Sequence, residues 1–211
     1  NVGKGKFITF EGIDGCGKST QLAITARFLE ERGQTPLIIR EPGGTSIGEK
    51  IRTILLDKKN DEMCAITELL LYEAARAQIT QEKIKPSLEQ GNIVLCDRFF
   101  DSTFAYQGYA RGLGTKVVES LNLLATEGLE PDLTFLFDIT PEDAFKRRAA
   151  RGESEDRLEA MGLGFQEEVR KGYLEALATV GSKRIKIIDA SKSPEEIFET
   201  VKKYLLDEGQ Q

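Results

Sequence analysis

The chain has 211 residues, 40% hydrophobic and 30% charged, which suffices for one sizeable α/β core and no second independent one. A net charge of −6 weighs against broad non-specific nucleic-acid binding, although local basic clusters around a phosphate remain compatible with it. Three scattered cysteines (Cys16, Cys64 and Cys96) make neither a disulfide framework nor a zinc site, and no apolar stretch reaches membrane-spanning length. Without a single histidine, Cys–His and Ser–His–Asp nucleophilic catalysis are excluded. A cytoplasmic protein with a small-molecule ligand, no membrane and no nucleic acid is expected.

Asn1-Val2-Gly3-Lys4-Gly5-Lys6 lacks the apolar region of a signal peptide and reads as a flexible lead-in. The apolar run that follows predicts a strand over Lys6–Glu11. Directly behind it, Gly12-Ile13-Asp14-Gly15-Cys16-Gly17-Lys18-Ser19-Thr20 fits the phosphate-binding spacing G-x-x-x-x-G-K-[ST]. Leu22, Ala26 and Leu29 then recur at helical spacing, and Gly33 supplies a stop. A glycine-rich turn between strand and helix lets successive N–H groups converge on an anion, with the positive end of the helix dipole behind them. Lys18 would reach the β- and γ-phosphates of ATP, and Ser19 would ligand Mg²⁺. Cys16, next to a helix N-terminus, also has a reading as a reactive thiol, but the simpler one is a small loop residue.

Further strands are predicted at 35–40, 92–97, 133–138 and 184–189, separated by helical patterns, which makes a five-stranded parallel sheet flanked by helices. A long helical stretch between residues 61 and 90 carries Ile66, Leu70, Ala74 and Ala77, and predicts an additional helical layer. The charged stretch 146–159 is the expected mobile excursion. Pro194 opens a last helix with Ile197, Val201 and Leu205 on its buried face. Nothing marks a domain boundary, so residues 1–211 are read as one unit.

In open α/β sheets ligands bind beyond the carboxyl ends of the strands, where this sequence carries Glu11, Arg40-Glu41, Asp97-Arg98 and Asp189. Asp97 closes an apolar strand and resembles a Walker B carboxylate that holds Mg²⁺; capping of the next helix is the alternative. The adjoining Arg98 suits bidentate phosphate contact and favours a metal-and-phosphate pair.

The ordered set of the phosphate loop, Arg40-Glu41-Pro42-Gly43-Gly44-Thr45, Asp97-Arg98-Phe99-Phe100-Asp101-Ser102-Thr103-Phe104-Ala105-Tyr106-Gln107-Gly108 and Leu129-Glu130-Pro131-Asp132-Leu133-Thr134 resembles the thymidylate kinases. The resemblance implies a P-loop nucleoside-monophosphate-kinase-like fold with a lid. It implies transfer of the γ-phosphoryl group of ATP to thymidine 5′-monophosphate, a Mg²⁺ requirement and a homodimer. Tyr72 would stack on thymine and Arg76, one turn later, would reach the base edge, as would Thr103. A buried Tyr72 with Arg76 in a surface ion pair is the plainer alternative. Arg98 would contact the acceptor phosphate, Tyr106 would pack near the sugar and exclude a ribose 2′-hydroxyl, and Arg52 and Gln107 would join the nucleotide pocket. Asp14 and Glu41 would lie near the acceptor or Mg²⁺, or stabilise their loops. Cys16 occupies the position where some relatives carry a loop arginine, whereas residues 146–152 are arginine-rich; this resembles the bacterial type with a lid arginine. Arg151 is the first candidate, followed by Arg147 and Arg157, and adenine would lie near Ala190-Ser191. A different nucleotide or deoxynucleoside kinase, a nucleotide switch and a partner-binding module are the competing readings.

Overall fold

The computed structural model describes residues 4–208, so Asn1-Val2-Gly3 of the expected lead-in lie outside the described residues. The lead-in is held from Gly5 onward: its N–H donates to Leu88 O at 3.0 Å, and a Cβ there would collide with the Asn92 carbonyl. Five strands follow, β1 (Lys6–Glu11), β2 (Leu37–Arg40), β3 (Ile93–Asp97), β4 (Leu133–Asp138) and β5 (Ile185–Asp189), each within two residues of its predicted span. All pair in parallel, in the order β2-β3-β1-β4-β5. The central strands β1 and β4 are buried almost end to end, as continuous apolar runs in a doubly covered sheet must be. The edge strands expose Ile38 and Ile187.

β1 lies between β3 and β4 at the point where the strand order reverses, so its phosphate loop opens beside Asp97-Arg98. The helix α1 (Lys18–Glu31) buries Leu22, Ala26 and Leu29 and ends one residue before the positive-φ Gly33 region, at the C-cap Arg32. It packs with the C-terminal helix, residues Pro194–Glu208, over one face of the sheet.

α2 (Ser46–Leu56) is followed by the expected long helical stretch, which is one α-helix, α3 (Ala65–Ile79), running through a π-helical turn at Thr80–Ile84 into α4 (Lys85–Glu89). Pro86 accounts for the widened turn, because its ring clashes with the carbonyl four residues earlier and it has no N–H to donate. The orientation of α3 differs from the one its apolar stripe suggested. Ile66 is 60% and Leu70 53% exposed and Ala74 is exposed too, whereas Glu68, Glu73 and Arg76 point inward. The charged groups share the inward face with Leu69, Ala75 and Ile79, and Ile66, Leu70 and Ala74 are turned out.

α5 (Phe100–Thr103) continues into a second π-helical segment, Phe104–Ala110, and α6 (Thr115–Thr126) leads back to β4. The first six residues of the stretch 146–159 are not an irregular excursion but the end of α7 (Pro141–Arg151). Its signals are complete: the Thr140 hydroxyl caps Asp143 N–H, Pro141 opens the helix, Glu142 and Asp143 sit in the first turn, Arg148 and Arg151 in the last, and Gly152 turns left-handed at φ 65°. Residues 152–158 then lead through a short 3₁₀ turn at Glu159–Met161 to α8 (Leu163–Val180), β5 and α9 (Pro194–Glu208). Ile197 and Val201 are buried on α9 and Leu205 packs against the same core.

The core on this face is aromatic along β1 and β4. Phe10 stacks on Phe137, with centroids 6.0 Å apart, and tilts against Phe135 at 5.6 Å. Phe10→Ala leaves a fully enclosed cavity and is expected to cost about 3–5 kcal/mol, read as a lowered midpoint at unchanged slope in urea unfolding.

Candidate active site

A cavity of about 320 Å³ opens beyond the carboxyl ends of β1, β2 and β3, with its floor in the phosphate loop and one wall in α7 and residues 153–159. Gly12, Gly15 and Gly17 have φ of 146°, 87° and 92°, values an L side chain rarely adopts, and Gly17 caps α1. Ile13 and Cys16 are buried beneath the loop, so Cys16 is a packing residue here rather than an accessible thiol. Lys18 arches over the loop and donates to Gly12 O at 3.3 Å, while Ser19 and Thr20 face the cavity. Ser19 Oγ lies 3.4 Å from Asp97 Oδ2, so the hydroxyl and the strand-end carboxylate meet as expected. Among the described residues no cluster of three or more His, Cys, Asp or Glu could hold a metal ion by itself. Oxygen donors from a hydroxyl and one carboxylate suit a hard cation that also uses phosphate and water oxygens, as Mg²⁺ does.

Arg98 stands at the centre. Its NH2 donates to Asp14 Oδ1 at 2.7 Å, NH1 reaches Ser102 and Tyr173 at 3.4 and 3.3 Å, and the guanidinium lies 5.2 Å from the Tyr106 ring centroid. Burial would raise the Asp14 carboxyl, but Arg98, Lys18 and Arg148 hold it below its ordinary value. Asp14 is therefore an anionic bridge between loop and arginine, and a poor proton acceptor at neutral pH. Behind Arg98, Glu11 is fully buried and accepts from Phe99 N–H at 2.7 Å, Ser102 Oγ and the Tyr173 hydroxyl. Burial, reinforced by the charge of Asp101, pushes its carboxyl up to about 7. Glu11 supports the site from beneath and does not line the cavity.

On the far side, Tyr72, Arg76, Thr103, Tyr106 and Gln107 converge on the cavity, as their expected roles require. Arg76 is 2% exposed, which removes the alternative of a surface ion pair. Its Nε donates to Glu41 at 2.9 Å, NH1 to Asn122 at 3.2 Å with Glu73 at 3.4 Å, and NH2 to the Phe99 carbonyl at 3.3 Å. Three of the five guanidinium N–H groups are used in hydrogen bonds, and the remaining two are left for the nearby Glu73 charge or a ligand. Glu41 is thus first a partner of Arg76; burial pushes its carboxyl up to about 7 against the pull of that arginine. The Thr103 hydroxyl is buried without a hydrogen-bond partner, and Arg52 reaches Pro42 O at 3.0 Å along the rim.

The three candidate arginines separate. Arg151 lines the cavity opposite Glu153, at 3.9 Å. Arg147 lies outside the cavity lining and donates to Ala190 O at 2.6 Å, joining α7 to the loop after β5. Arg157 is buried against Glu68 and the Leu55 carbonyl, which makes it a structural anchor rather than a group facing a phosphate. Sequence reasoning passed over Arg148, which lines the cavity, is 8% exposed, and pairs with Glu159 at 3.3 Å. A Cβ on Gly15 would meet its Cγ at 2.9 Å, so the side chain lies directly on the phosphate loop. Ala144, Arg148 and Arg151 fall at i, i+4 and i+7, and that spacing was the available signal. The exposed Asp189 bonds Ser191 and belongs to the loop near Arg147 instead of the cavity.

A model of the thymidylate kinase family matches residues 10–201. A thymidylate kinase from Thermoanaerobacter sp. is 51% identical over 96% of this chain and all of its own length, and one from Bacillus pumilus 46% over 96% of each. The crystal structure of thymidylate kinase from Ehrlichia chaffeensis superposes with a TM-score of 0.76 at 33% identity, covering 97% of this chain and 99% of that one. With the phosphate loop, the Asp97-Arg98 strand end and the helical wall of Tyr72 and Arg76 around one cavity, the chain belongs to the thymidylate kinase family.

Proposed function

We propose that the chain phosphorylates thymidine 5′-monophosphate to the diphosphate at the expense of ATP within this one cavity, with ATP on the phosphate loop and the acceptor between α3 and the Phe104–Ala110 segment. The observation that carries this reading is the 2.7 Å bridge from Arg98 to Asp14, because it sets the acceptor-side arginine against the donor loop. The acceptor phosphate is already an adequate oxygen nucleophile at neutral pH, so positioning and charge neutralisation do the work and no general base is needed. Lys18 and Arg98 would hold the donor and acceptor phosphates on opposite sides of the transferring group. Arg148, with Arg151 at the mouth, would neutralise the charge that develops on its oxygens. Ser19 and Asp97 would hold Mg²⁺, which when bound screens the donor phosphates and fixes their geometry. Arg147 and Ala190-Ser191 would flank adenine. Closing residues 152–158 over the cavity would exclude water and limit hydrolysis of ATP. Tyr106, packed under Arg98, would leave no room for a ribose 2′-hydroxyl.

We further infer a homodimer in the reducing cytoplasm. Ile47 and Ile54 on α2, Ile66 and Leu70 on α3, and Val117 and Leu124 on α6 are all exposed on three neighbouring helices, an apolar surface with the makings of a two-fold contact. No helix among the described residues is long and apolar enough to cross a membrane.

ADP release with ATP, Mg²⁺ and a panel of nucleoside monophosphates tests the reaction, and thymidylate is expected to be the preferred acceptor; equal rates with and without acceptor would refute it. Arg98→Ala and Arg148→Ala are each expected to lower kcat by roughly 10²-fold while the proteins stay folded. Near-normal kcat in a folded R148A would transfer its role to Arg151. In sedimentation velocity the protein should run at twice its chain mass of 23.5 kDa, and Leu70→Glu should return it to a monomer.

A further inference from the structure

Glu68 lies one helical turn before Tyr72 on α3, fully buried and just outside the cavity lining. Its carboxylate gathers three segments. Gln107 Nε2 donates from the second π-helical segment at 2.8 Å, Arg111 donates through Nε and NH2 at 3.2 and 3.1 Å, and Arg157 donates from the lid. Arg157 is itself fastened to the end of α2, through Nε to Leu55 O at 2.7 Å and N–H to Leu56 O at 3.2 Å. Burial acts to raise the Glu68 pKa, but the hydrogen bonds of Arg111 and Gln107 and the charges of Arg111 and Arg157 outweigh it and hold the group below its ordinary value. The carboxylate is ionised.

An ionised carboxylate has lone pairs only, so every group that faces it must be a donor. The arginines have no other option. Gln107 does, since a carboxamide turned over exchanges its NH₂ for its oxygen without a change of shape. With the oxygen toward Glu68, two acceptors would oppose each other in a buried site, and the turned-over state is strongly disfavoured. Gln107 lines the cavity beside Tyr72, Thr103 and Tyr106, and no hydrogen bond from the described residues reaches its amide oxygen. The oxygen is the atom left for a ligand.

We propose that Glu68 is a positioning residue for base selection: by fixing Gln107 with its oxygen toward the cavity, it makes the pocket demand a ring N–H at that point. The imide of thymine supplies that hydrogen, whereas the unprotonated ring nitrogen of cytosine presents a second acceptor. This rests on the reading that the acceptor base lies between Tyr72 and Gln107. Since Glu68 also anchors Arg157, its loss lowers turnover with any acceptor. The ratio between acceptors is what isolates the effect on Gln107.

Glu68→Gln keeps the shape and tests the idea. Its amide oxygen goes to Arg157 and Arg111 NH2, its NH₂ is left facing Gln107 at the cost of the Arg111 Nε hydrogen bond, and Gln107 turns over to present its own NH₂ to the cavity. kcat/KM is measured by ADP release for thymidine and deoxycytidine 5′-monophosphates, in wild type and variant. The preference for thymidylate is expected to fall by roughly tenfold or more in E68Q. An equal loss on both acceptors, with the preference intact, overturns the proposal. Failure of the wild type to favour thymidylate would instead remove the site reading on which it rests. If E68Q does not fold, neutron diffraction from wild-type crystals decides: deuterons on the Gln107 nitrogen directed at Glu68 support the assignment, and deuterons directed into the cavity overturn it.

Discussion

At Arg98 the backbone takes φ of 69°, a left-handed conformation that costs a residue other than glycine on the order of 1 kcal/mol and persists only when its surroundings hold it. Its N–H donates to Phe10 O at 2.9 Å, the next N–H goes to the Glu11 carboxylate at 2.7 Å, and its carbonyl accepts from the Cys96 thiol at 2.9 Å. Each partner belongs to β1 or β3. The pairing of those two strands therefore dictates the turn that throws Arg98 across to Asp14, and the phosphate loop, the Ser19–Asp97 pair and the wall of Tyr72 and Arg76 take their relative positions from it. A sheet in which β1 lay at an edge could not supply both flanks.

Around this turn the protein buries charge in compensated groups. Arg76 sits between Glu41 and Glu73, Arg184 between Asp101 and the Thr9–Thr134 hydroxyl pair, and Glu68 among two arginines and an amide. Buried ion pairs contribute little net stability because desolvation opposes their attraction, but they leave each charge one arrangement. The aromatic and aliphatic packing of β1 and β4 carries the stability, and the charged groups carry the geometry. Glu41, whose carboxyl is pushed up to about 7, illustrates the tension: the arginine that fixes it only partly offsets its removal from water.

The strands were legible because a strand covered on both faces is apolar over most of its length, as 93–96 and 135–137 are. The phosphate loop was legible because its chemistry is local, with glycines, lysine and hydroxyl adjacent in the chain. Long-range pairing was not. The stripe of Ile66 and Leu70 looks like a core face until the partners of Glu68 and Arg76, which lie in other segments, are in place. Arg148 was missed among four basic residues in six because periodicity alone does not say which helical face meets the loop, and Arg157 is indistinguishable in sequence from an arginine free to reach a phosphate. The π-helical turns were likewise hidden, apart from the hint in Pro86.

Gly15 touches α7 directly: a Cβ there would come within 2.5 Å of Ala144 O as well as meeting Arg148. The phosphate loop and the first turns of α7 are thus parts of one packed joint with no slack between them. A compound that spreads the loop by a fraction of an ångström pushes on the helix that carries Arg147, Arg148 and Arg151. A ligand on the loop too small to touch these arginines would then still shift them through the joint.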